Sequence, residues 1–306
     1  MRAVPETTSG ASGISRRSFL AACGLAGAGC ATRRALSRDE PVVPRTTPLV
    51  YDEHGGLFVD AHVNGAVARM ILDTGASRST LASAFAAELG LALGERSDIE
   101  GSAGTVEARS ATARLALDGG DELALDFAVY DFGSYDPRCV GILGAEILER
   151  APFQLRYRQR QLAWNAPAPR DAIELALDGR IPRISVLVDG EPIDLRIDTG
   201  AAFPPGEDAY VNLTEDQASF LALDGAPVAV FTATGTGGAR LELPVHRLGS
   251  LEIAGVALPR AFAIVQPRVG YFAREDAVGF LGNAVLDKLD PFFDYSARRF
   301  GVAPRA

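Results

Sequence analysis

The chain has 306 residues, a formal net charge of −9, 47% apolar residues and 23% charged residues. This composition is typical of a soluble globular protein, and the length suffices for two ordinary domains or one large domain. The acidic balance and the lack of a basic patch argue against a nucleic-acid partner. The three histidines are scattered and no Cys/His cluster has metal-ligand spacing. The sequence therefore predicts no metal site and no cofactor.

Residues 1–30 are predicted to be an export signal. Arg16 and Arg17 precede a mildly apolar Ala/Gly-rich run, which resembles a bacterial twin-arginine signal and is too short to span a bilayer as a helix. Cys30 follows Gly-Ala-Gly as in a lipoprotein box, and Cys23 is a second candidate. Lipid anchoring and simple cleavage both stay open, so we expect an exported protein that is periplasmic or anchored to a membrane by an N-terminal lipid.

The next segment, residues 31–48, is polar, contains several prolines and has no hydrophobic period. It is predicted to be a linker that forms no part of the fold. Cys139 is the only cysteine after residue 30, so no disulfide framework is expected in the folded part, and the thiol is interpreted as a small buried side chain.

Residues 49–167 and residues 170–306 are two versions of one pattern and are predicted to form a first and a second lobe. Each lobe begins with two alternating strands joined by a hairpin dipeptide, Asn64-Gly65 in the first and Asp189-Gly190 in the second. The second strand of each hairpin leads into the tripeptide Asp-Thr-Gly, and an element of two apolar residues and a glycine follows later in each lobe. The interval between the two motifs is longer in the second lobe, where we expect an insertion around Pro204-Pro205.

A helix is predicted between the two motifs of each lobe. In the first lobe, Ser79 or Thr80 is expected to cap a helix that ends at Gly90. In the second lobe, Thr214 and Gln217 form a capping-box pattern. A glycine-rich stretch follows each helix, but neither stretch has the Gly-Lys-Ser/Thr ending of a phosphate-binding loop. Each is better interpreted as a flap over a cleft or as a plain flexible loop.

The two Asp-Thr-Gly tripeptides are the strongest functional signal in the sequence. Asp73 and Asp198 each follow a short apolar strand, and the repetition suggests that the two carboxylates meet. Two close carboxylates cannot both ionise, so one holds a proton while the other acts as a base. Such a pair is suited to activating a water molecule.

The Asp-Thr-Gly-Ala-Ser run at Asp73, the helix after it and the later apolar-apolar-Gly element resemble the retropepsin-like aspartic proteases. The resemblance extends over about residues 50–302 and occurs twice in order. It implies a mainly β fold of two tandem retropepsin-like β-barrel lobes in a pepsin-like arrangement, each lobe with one or two short helices. It also implies an aspartic endopeptidase that acts on peptides or proteins without a metal or a covalent intermediate.

The resemblance implies roles for particular residues. Asp73 and Asp198 would be catalytic, and the hydroxyls of Thr74 and Thr199 would bond across to the opposite loop. The adjacent glycines would let each loop turn tightly beside its carboxylate. Ten residues are thereby predicted for the site: the catalytic Asp73 and Asp198, their supports Thr74, Gly75, Thr199 and Gly200, and the flap glycines Gly101, Gly104, Gly235 and Gly237.

The second motif departs from the family pattern. It continues with Ala201-Ala202, whereas the first continues with Ala76-Ser77, and the missing hydroxyl predicts a less firmly oriented Asp198. We expect a monomer whose two lobes pair within one chain, with pairing between lobes of two molecules as the alternative. The alternative function is a non-catalytic, exported peptide-binding lipoprotein that keeps the protease fold.

Overall fold

A computed structural model describes residues 45–102, 104–132, 136–234 and 240–302. The predicted export signal and most of the predicted linker lie outside these residues. The described chain is mainly β, as predicted, with short helices between some of the strands.

The first lobe contributes the elements up to residue 167. In chain order they are β1 (Thr46–Pro48), β2 (Val50–Tyr51), β3 (Leu57–Val63), β4 (Ala66–Leu72), β5 (Thr80–Leu81), α1 (Ser83–Glu88), β6 (Arg96–Gly101), β7 (Gly104–Leu117), β8 (Leu123–Val129), β9 (Cys139–Leu143), α2 (Ala145–Leu148), β10 (Phe153–Arg156) and β11 (Gln161–Trp164).

The second lobe repeats much of this order. Its elements are β12 (Ile173–Glu174), β13 (Ala176–Asp178), β14 (Ile181–Val188), β15 (Glu191–Ile197), β16 (Ala209–Thr214), α3 (Glu215–Phe220), β17 (Ala229–Thr234), β18 (Arg240–Arg247), β19 (Leu251–Ile253), β20 (Val256–Ala257), β21 (Ala261–Gln266), a 3₁₀ helix (Gly270–Ala273), β22 (Gly279–Leu281), α4 (Asn283–Leu286), β23 (Pro291–Asp294) and β24 (Arg299–Val302).

The first lobe is built on an eight-stranded sheet in the order β2-β3-β4-β9-β5-β8-β7-β6. The long strand β7 also pairs with β3, which closes six of these strands into a barrel. Side chains that alternate along β3 and β4 are fully buried inside it, because successive residues of a strand point to opposite faces. The β3–β4 turn is made by Asn64 and Gly65, both with positive φ, as the hairpin dipeptide predicts.

The second lobe repeats this arrangement in a sheet whose main path is β17-β18-β21-β16-β22-β15-β14-β19-β20. Two consecutive short strands, β18 and β19, take the place of the continuous strand β7, and β19 pairs with β14. Asp189 and Gly190 make the β14–β15 turn, again with positive φ.

A third sheet contains strands from both lobes. Its order is β1-β11-β10-β23-β24-β12, and the lobes join where β10 pairs antiparallel with β23. At this junction the rings of Phe153 and Phe293 stack with their centroids 4.8 Å apart, and both side chains are fully buried. Burial of one phenylalanine side chain is worth about 1.5–3 kcal/mol, so the junction stabilises both halves of the sheet.

Two expectations are corrected in the first lobe. Thr80 and Leu81 form strand β5 and do not begin a helix, because they pair with both β8 and β9. Helix α1 begins at Ser83, without a side-chain cap, and Gly90 follows its end with a φ of +64°, as expected. The linker also ends earlier than residue 48, since β1 pairs with β11.

The capping box predicted in the second lobe is confirmed. Gln217 N–H donates to Thr214 Oγ1, and the Gln217 side chain accepts a hydrogen bond from Thr214 N–H. The residues around Pro204-Pro205 form no regular element. Cys139 is buried at the start of β9, as expected.

Candidate active site

Two buried strands deliver the two aspartates. Strand β4 ends at Leu72 and strand β15 ends at Ile197, and both of these side chains are fully buried. Each strand pairs in parallel with a later strand of its lobe, β9 or β22. The pairing continues into the loop: Asp73 N–H donates to Leu143 O at 3.0 Å, and Asp198 N–H donates to Leu281 O at 2.9 Å. The apolar-apolar-Gly elements therefore hold the two Asp-Thr-Gly loops through backbone hydrogen bonds.

Thr74 and Thr199 bind the two loops to each other. The Thr74 hydroxyl donates to Ile197 O at 2.7 Å and accepts from Thr199 N–H at 3.1 Å. The Thr199 hydroxyl donates to Leu72 O at 2.7 Å and accepts from Thr74 N–H at 3.0 Å. Both side chains are completely buried, so these four bonds are shielded from water. Each lobe thus supplies the hydrogen-bond partners that the other lobe's loop requires.

The two carboxyl groups meet between these loops. A Cβ atom built on Gly75 would lie 2.7 Å from Cγ of Asp198, and one built on Gly200 would lie 2.5 Å from Cγ of Asp73, so each carboxyl group packs against the opposite loop. Asp73 Oδ1 also accepts from Gly75 N–H at 2.7 Å, and Asp198 Oδ1 accepts from Ala201 N–H at 3.1 Å. Both residues keep part of their surface accessible. A single chain therefore brings the two predicted carboxylates together.

The surroundings favour one proton on this pair. Burial raises the pKa of Asp73 well above its usual range, and the negative charge of Asp198 raises it further. Burial also raises the pKa of Asp198, but the side-chain interaction with Asp73 opposes this shift, as does the positive charge of Arg196. Because both pKa values are raised, the pair holds one proton, so one group can act as an acid while the other acts as a base.

Comparison with known proteins agrees with this geometry. Residues 59–147 match the family model described as aspartyl protease. Residues 59–147 are therefore similar to an aspartyl protease domain. No curated protein gave a significant match. The matched segment runs from β3 to α2 and contains the first Asp-Thr-Gly loop with its supporting glycine element, whereas the second lobe is related to it by the repeated sequence and geometry.

The loop of Asp73 is supported by a set of side-chain hydrogen bonds that the sequence did not predict. Glu146, in helix α2, accepts from Ser79 N–H at 2.8 Å and from the Ser79 hydroxyl at 3.1 Å. Ser79 Oγ in turn accepts from Gly144 N–H at 3.0 Å. Ser77, whose hydroxyl was expected to support the site, is exposed. The presence or absence of a hydroxyl at that place therefore does not distinguish the two loops.

The loop of Asp198 has a different brace, centred on Asn283 at the start of α4. The side-chain amide donates to Thr199 O at 2.8 Å and to Gly55 O at 2.9 Å. The hydroxyl of Tyr157 donates to Asn283 Oδ1 at 2.7 Å. Sequence reasoning missed both Glu146 and Asn283, although each lies within two residues of its lobe's supporting glycine.

A hairpin formed by β6 and β7 occupies the position of the predicted flap. Gly101 and Gly104 pair with each other where the two strands join. The tip lies against the second lobe: a Cβ atom built on Gly270 would be 2.4 Å from Gly101 O and 2.6 Å from Gly104 N. Arg274 Nη1 also lies 3.3 Å from Glu100 Oε2. Gly235 and Gly237, the other predicted flap residues, lie outside the described residues, between the paired strands β17 and β18.

An apolar wall lies beneath this hairpin, beside Asp73. Tyr130 is buried, and its ring contacts that of Phe132 edge to face at 6.0 Å. Ile99 and Val106, from the two strands of the hairpin, pack against the same cluster. Burial raises the pKa of Tyr130, and the negative charge of Asp73 adds to the shift. Tyr130 therefore lies within electrostatic range of Asp73.

Among the described residues there is neither a metal-binding cluster nor a membrane-spanning helix. No cluster of three or more His, Cys, Asp or Glu side chains there could hold a metal ion. In the same part of the chain, no helix is long and apolar enough to cross a membrane.

Proposed function

We propose that the protein is an aspartic endopeptidase that hydrolyses peptide bonds with a water molecule activated between Asp73 and Asp198. The observation that carries this proposal is the placement of two carboxyl groups against each other's loops, which the crossed hydrogen bonds of Thr74 and Thr199 hold together within one chain. Both loops are fixed by backbone hydrogen bonds within their own lobe and from the opposite lobe, so the pair is held in place before a substrate binds, as electrostatic catalysis requires.

The chemistry follows from the unequal protonation of the pair. Asp198, as the ionised partner, takes a proton from the bound water as the water oxygen attacks the peptide carbonyl carbon. Asp73 donates its proton to the carbonyl oxygen, which prevents an isolated oxyanion from forming. The tetrahedral intermediate then collapses when the peptide nitrogen receives a proton from Asp198 and Asp73 recovers its own from the hydroxyl. The C–N bond breaks, and the pair returns to its starting state with one proton.

The substrate proposed here is an extended peptide that lies between the carboxylate pair and the β6–β7 hairpin. An extended backbone can form hydrogen bonds along its length with such a hairpin. The wall formed by Tyr130 and Phe132 favours an apolar side chain next to the bond that is cleaved, because burial of apolar surface contributes about 25 cal/mol per Å².

The test is cleavage of a diverse peptide library by the purified full-length protein between about pH 3 and pH 7. We expect a bell-shaped dependence on pH, since one carboxyl must be protonated and the other ionised. Asp73→Asn and Asp198→Asn should each abolish cleavage, whereas the exposed control Asp224→Asn should not. Peptide binding without cleavage by the unmodified protein would instead favour the non-catalytic peptide-binding lipoprotein.

Export and a monomeric state also belong to this proposal. Arg16, Arg17 and Cys30 motivate a twin-arginine signal that ends in lipidation or in simple cleavage. Fractionation of expressing cells distinguishes export from retention in the cytoplasm. Mass spectrometry of the mature N-terminus distinguishes lipidation from simple cleavage. The pairing of both aspartates within one chain supports a monomer, and light scattering coupled to gel filtration tests it.

A further inference from the structure

The side chain of Asn283 is fully buried, and its amide nitrogen and its amide oxygen both form hydrogen bonds. Its two amide hydrogens go to two backbone carbonyls, Thr199 O and Gly55 O, and its oxygen accepts from the Tyr157 hydroxyl. The carbonyls can only accept, so the nitrogen must face them and the orientation of the amide is fixed.

These bonds hold the Asp198 loop at two places. The side chain of Asn283 binds the carbonyl of Thr199, which directly follows Asp198, and its backbone N–H donates to Ala201 O at 3.1 Å. Between these two carbonyls lies Gly200, where a Cβ atom would be 2.5 Å from Asp73 Cγ. Asn283 therefore fixes the segment that sets the distance between the two carboxyl groups.

Two of the partners belong to the first lobe. Gly55 lies in a tight loop whose Asp52 side chain accepts from His54 N–H at 3.0 Å and from Gly56 N–H at 2.9 Å. This loop packs directly on the chain after Asp198, since a Cβ atom on Gly55 would be 1.7 Å from Phe203 O. Tyr157, the other partner, follows strand β10 of the sheet that joins the lobes. The orientation of the Asp198 loop thus depends on groups from the opposite lobe.

The first lobe repeats only the backbone part of this contact, since Ala145 N–H donates to Ala76 O at 2.9 Å. The repeat aligns Asn283 with Ala145, whose side chain has no hydrogen-bonding group, and the Asp73 loop is braced by Glu146 from within its own lobe. The two halves of the pair are therefore positioned by different means.

We propose that Asn283 is a positioning residue for Asp198, which makes the geometry of the second carboxyl group depend on docking of the first lobe. The proposal rests on the proposed function for its kinetic consequences but not for its structural ones. Loss of the amide lets the Asp198 loop move relative to Asp73, and a displacement of about 1 Å in a catalytic group can cost about 100-fold in rate.

The test compares Asn283→Asp with the unmodified full-length protein. An aspartate of the same size directs oxygen atoms at two carbonyls, so once ionised it repels both of them. We expect kcat to fall at least about tenfold with KM changed less than about twofold, and the basic limb of the pH profile to shift. Tyr157→Phe, which removes only the hydroxyl that orients the amide, should reduce kcat in the same direction by a smaller factor and serves if Asn283→Asp does not fold.

The control is Thr47→Val, which removes another fully buried hydrogen bond, from Trp164 Nε1 at 3.0 Å, without contact to either loop. It should lower the melting temperature and leave the pH profile unchanged.

An unchanged kcat and pH profile in folded Asn283→Asp would overturn the proposal. If the unmodified protein cleaves nothing, the proposed function fails. The positioning role of Asn283 is then tested without activity, by ¹³C NMR titration of the Asp73 and Asp198 carboxyl carbons. Titration curves that Asn283→Asp and Tyr157→Phe leave unaltered would refute it.

Discussion

A Cβ atom on Gly75 would lie 2.7 Å from Cγ of Asp198, in the opposite lobe. The reverse relationship holds for Gly200, whose Cβ would lie 2.5 Å from Cγ of Asp73. Cβ atoms are essentially never found this close to another heavy atom. The glycine of each tripeptide is therefore required by the carboxyl group of the other tripeptide, and neither φ lies in the left-handed region.

Gly75→Ala and Gly200→Ala should each reduce kcat by about 100-fold or more, because the added methyl group pushes the opposite carboxyl group out of place. The measurement is steady-state cleavage of a peptide found in the library screen. Gly206→Ala is the control, since a Cβ atom there would meet nothing within 4 Å. Full activity in Gly75→Ala would mean that the loops separate at little cost.

Thr74→Val should lower the free energy of unfolding by about 2–5 kcal/mol. The change keeps the shape of the side chain but leaves Ile197 O and Thr199 N–H without their partner, and each unsatisfied buried group costs about 1–3 kcal/mol. Urea unfolding measures the difference, and Thr74→Ser, which keeps the hydroxyl, should lose much less. Unchanged stability in Thr74→Val would show that these hydrogen bonds contribute little.

Asp73→Asn should be more stable than the unmodified protein near pH 7, with a gain that shrinks towards pH 3. The pKa of Asp73 is raised in the folded state, so the folded protein binds the proton more tightly than the unfolded chain does. The stability from this carboxyl is complete below the unfolded pKa of about 3.8 and is lost as pH rises towards the folded value. Denaturant unfolding at several pH values, compared between variant and unmodified protein, measures this, and a difference independent of pH would contradict it.

Arg274→Gln should raise kcat/KM about two- to fivefold at low salt while leaving the melting temperature almost unchanged. The ion pair with Glu100 holds the β6–β7 hairpin against the second lobe, but its side chains are 42% and 44% exposed, so solvent screens the pair and it contributes little to overall stability. The gain should vanish at high salt. The control is Arg114→Gln, which breaks a similarly exposed pair with Glu122 elsewhere, and identical kinetics in the two variants would show that the hairpin contact does not limit substrate entry.

The sequence was informative where a short segment determines its own conformation. The turn at Asn64-Gly65 needs two positive φ angles, and the capping box of Thr214 is closed within four residues. The Asp-Thr-Gly loops could be located because the tripeptide follows an apolar strand in each lobe, although the contacts that fix them come from the opposite lobe. The prediction for Thr80 was wrong, since its local helix signal is outweighed by pairing with β8 and β9.

The parts that escaped prediction depend on contacts between distant segments. Glu146 reaches Ser79 across 67 residues, and the amide of Asn283 reaches Gly55 across 228 residues. Neither residue type signals such a role alone, because a glutamate or asparagine at a helix start is ordinary. Only the folded chain identifies the carbonyls and hydroxyls that they bind.

The sheet shared by the two lobes has a consequence for the order of folding. Strand β10 is complete early, but its partner β23 is made much later: Gln154 donates to a carbonyl 136 residues further along the chain. At a synthesis rate of about 5–20 residues per second, the first lobe carries an open strand edge and an uncovered Phe153 for about 10–30 seconds. Open edges of this kind recruit strands from other chains. Crowded nascent chains are therefore expected to exchange second lobes, giving dimers in which each carboxyl pair contains one aspartate from each molecule.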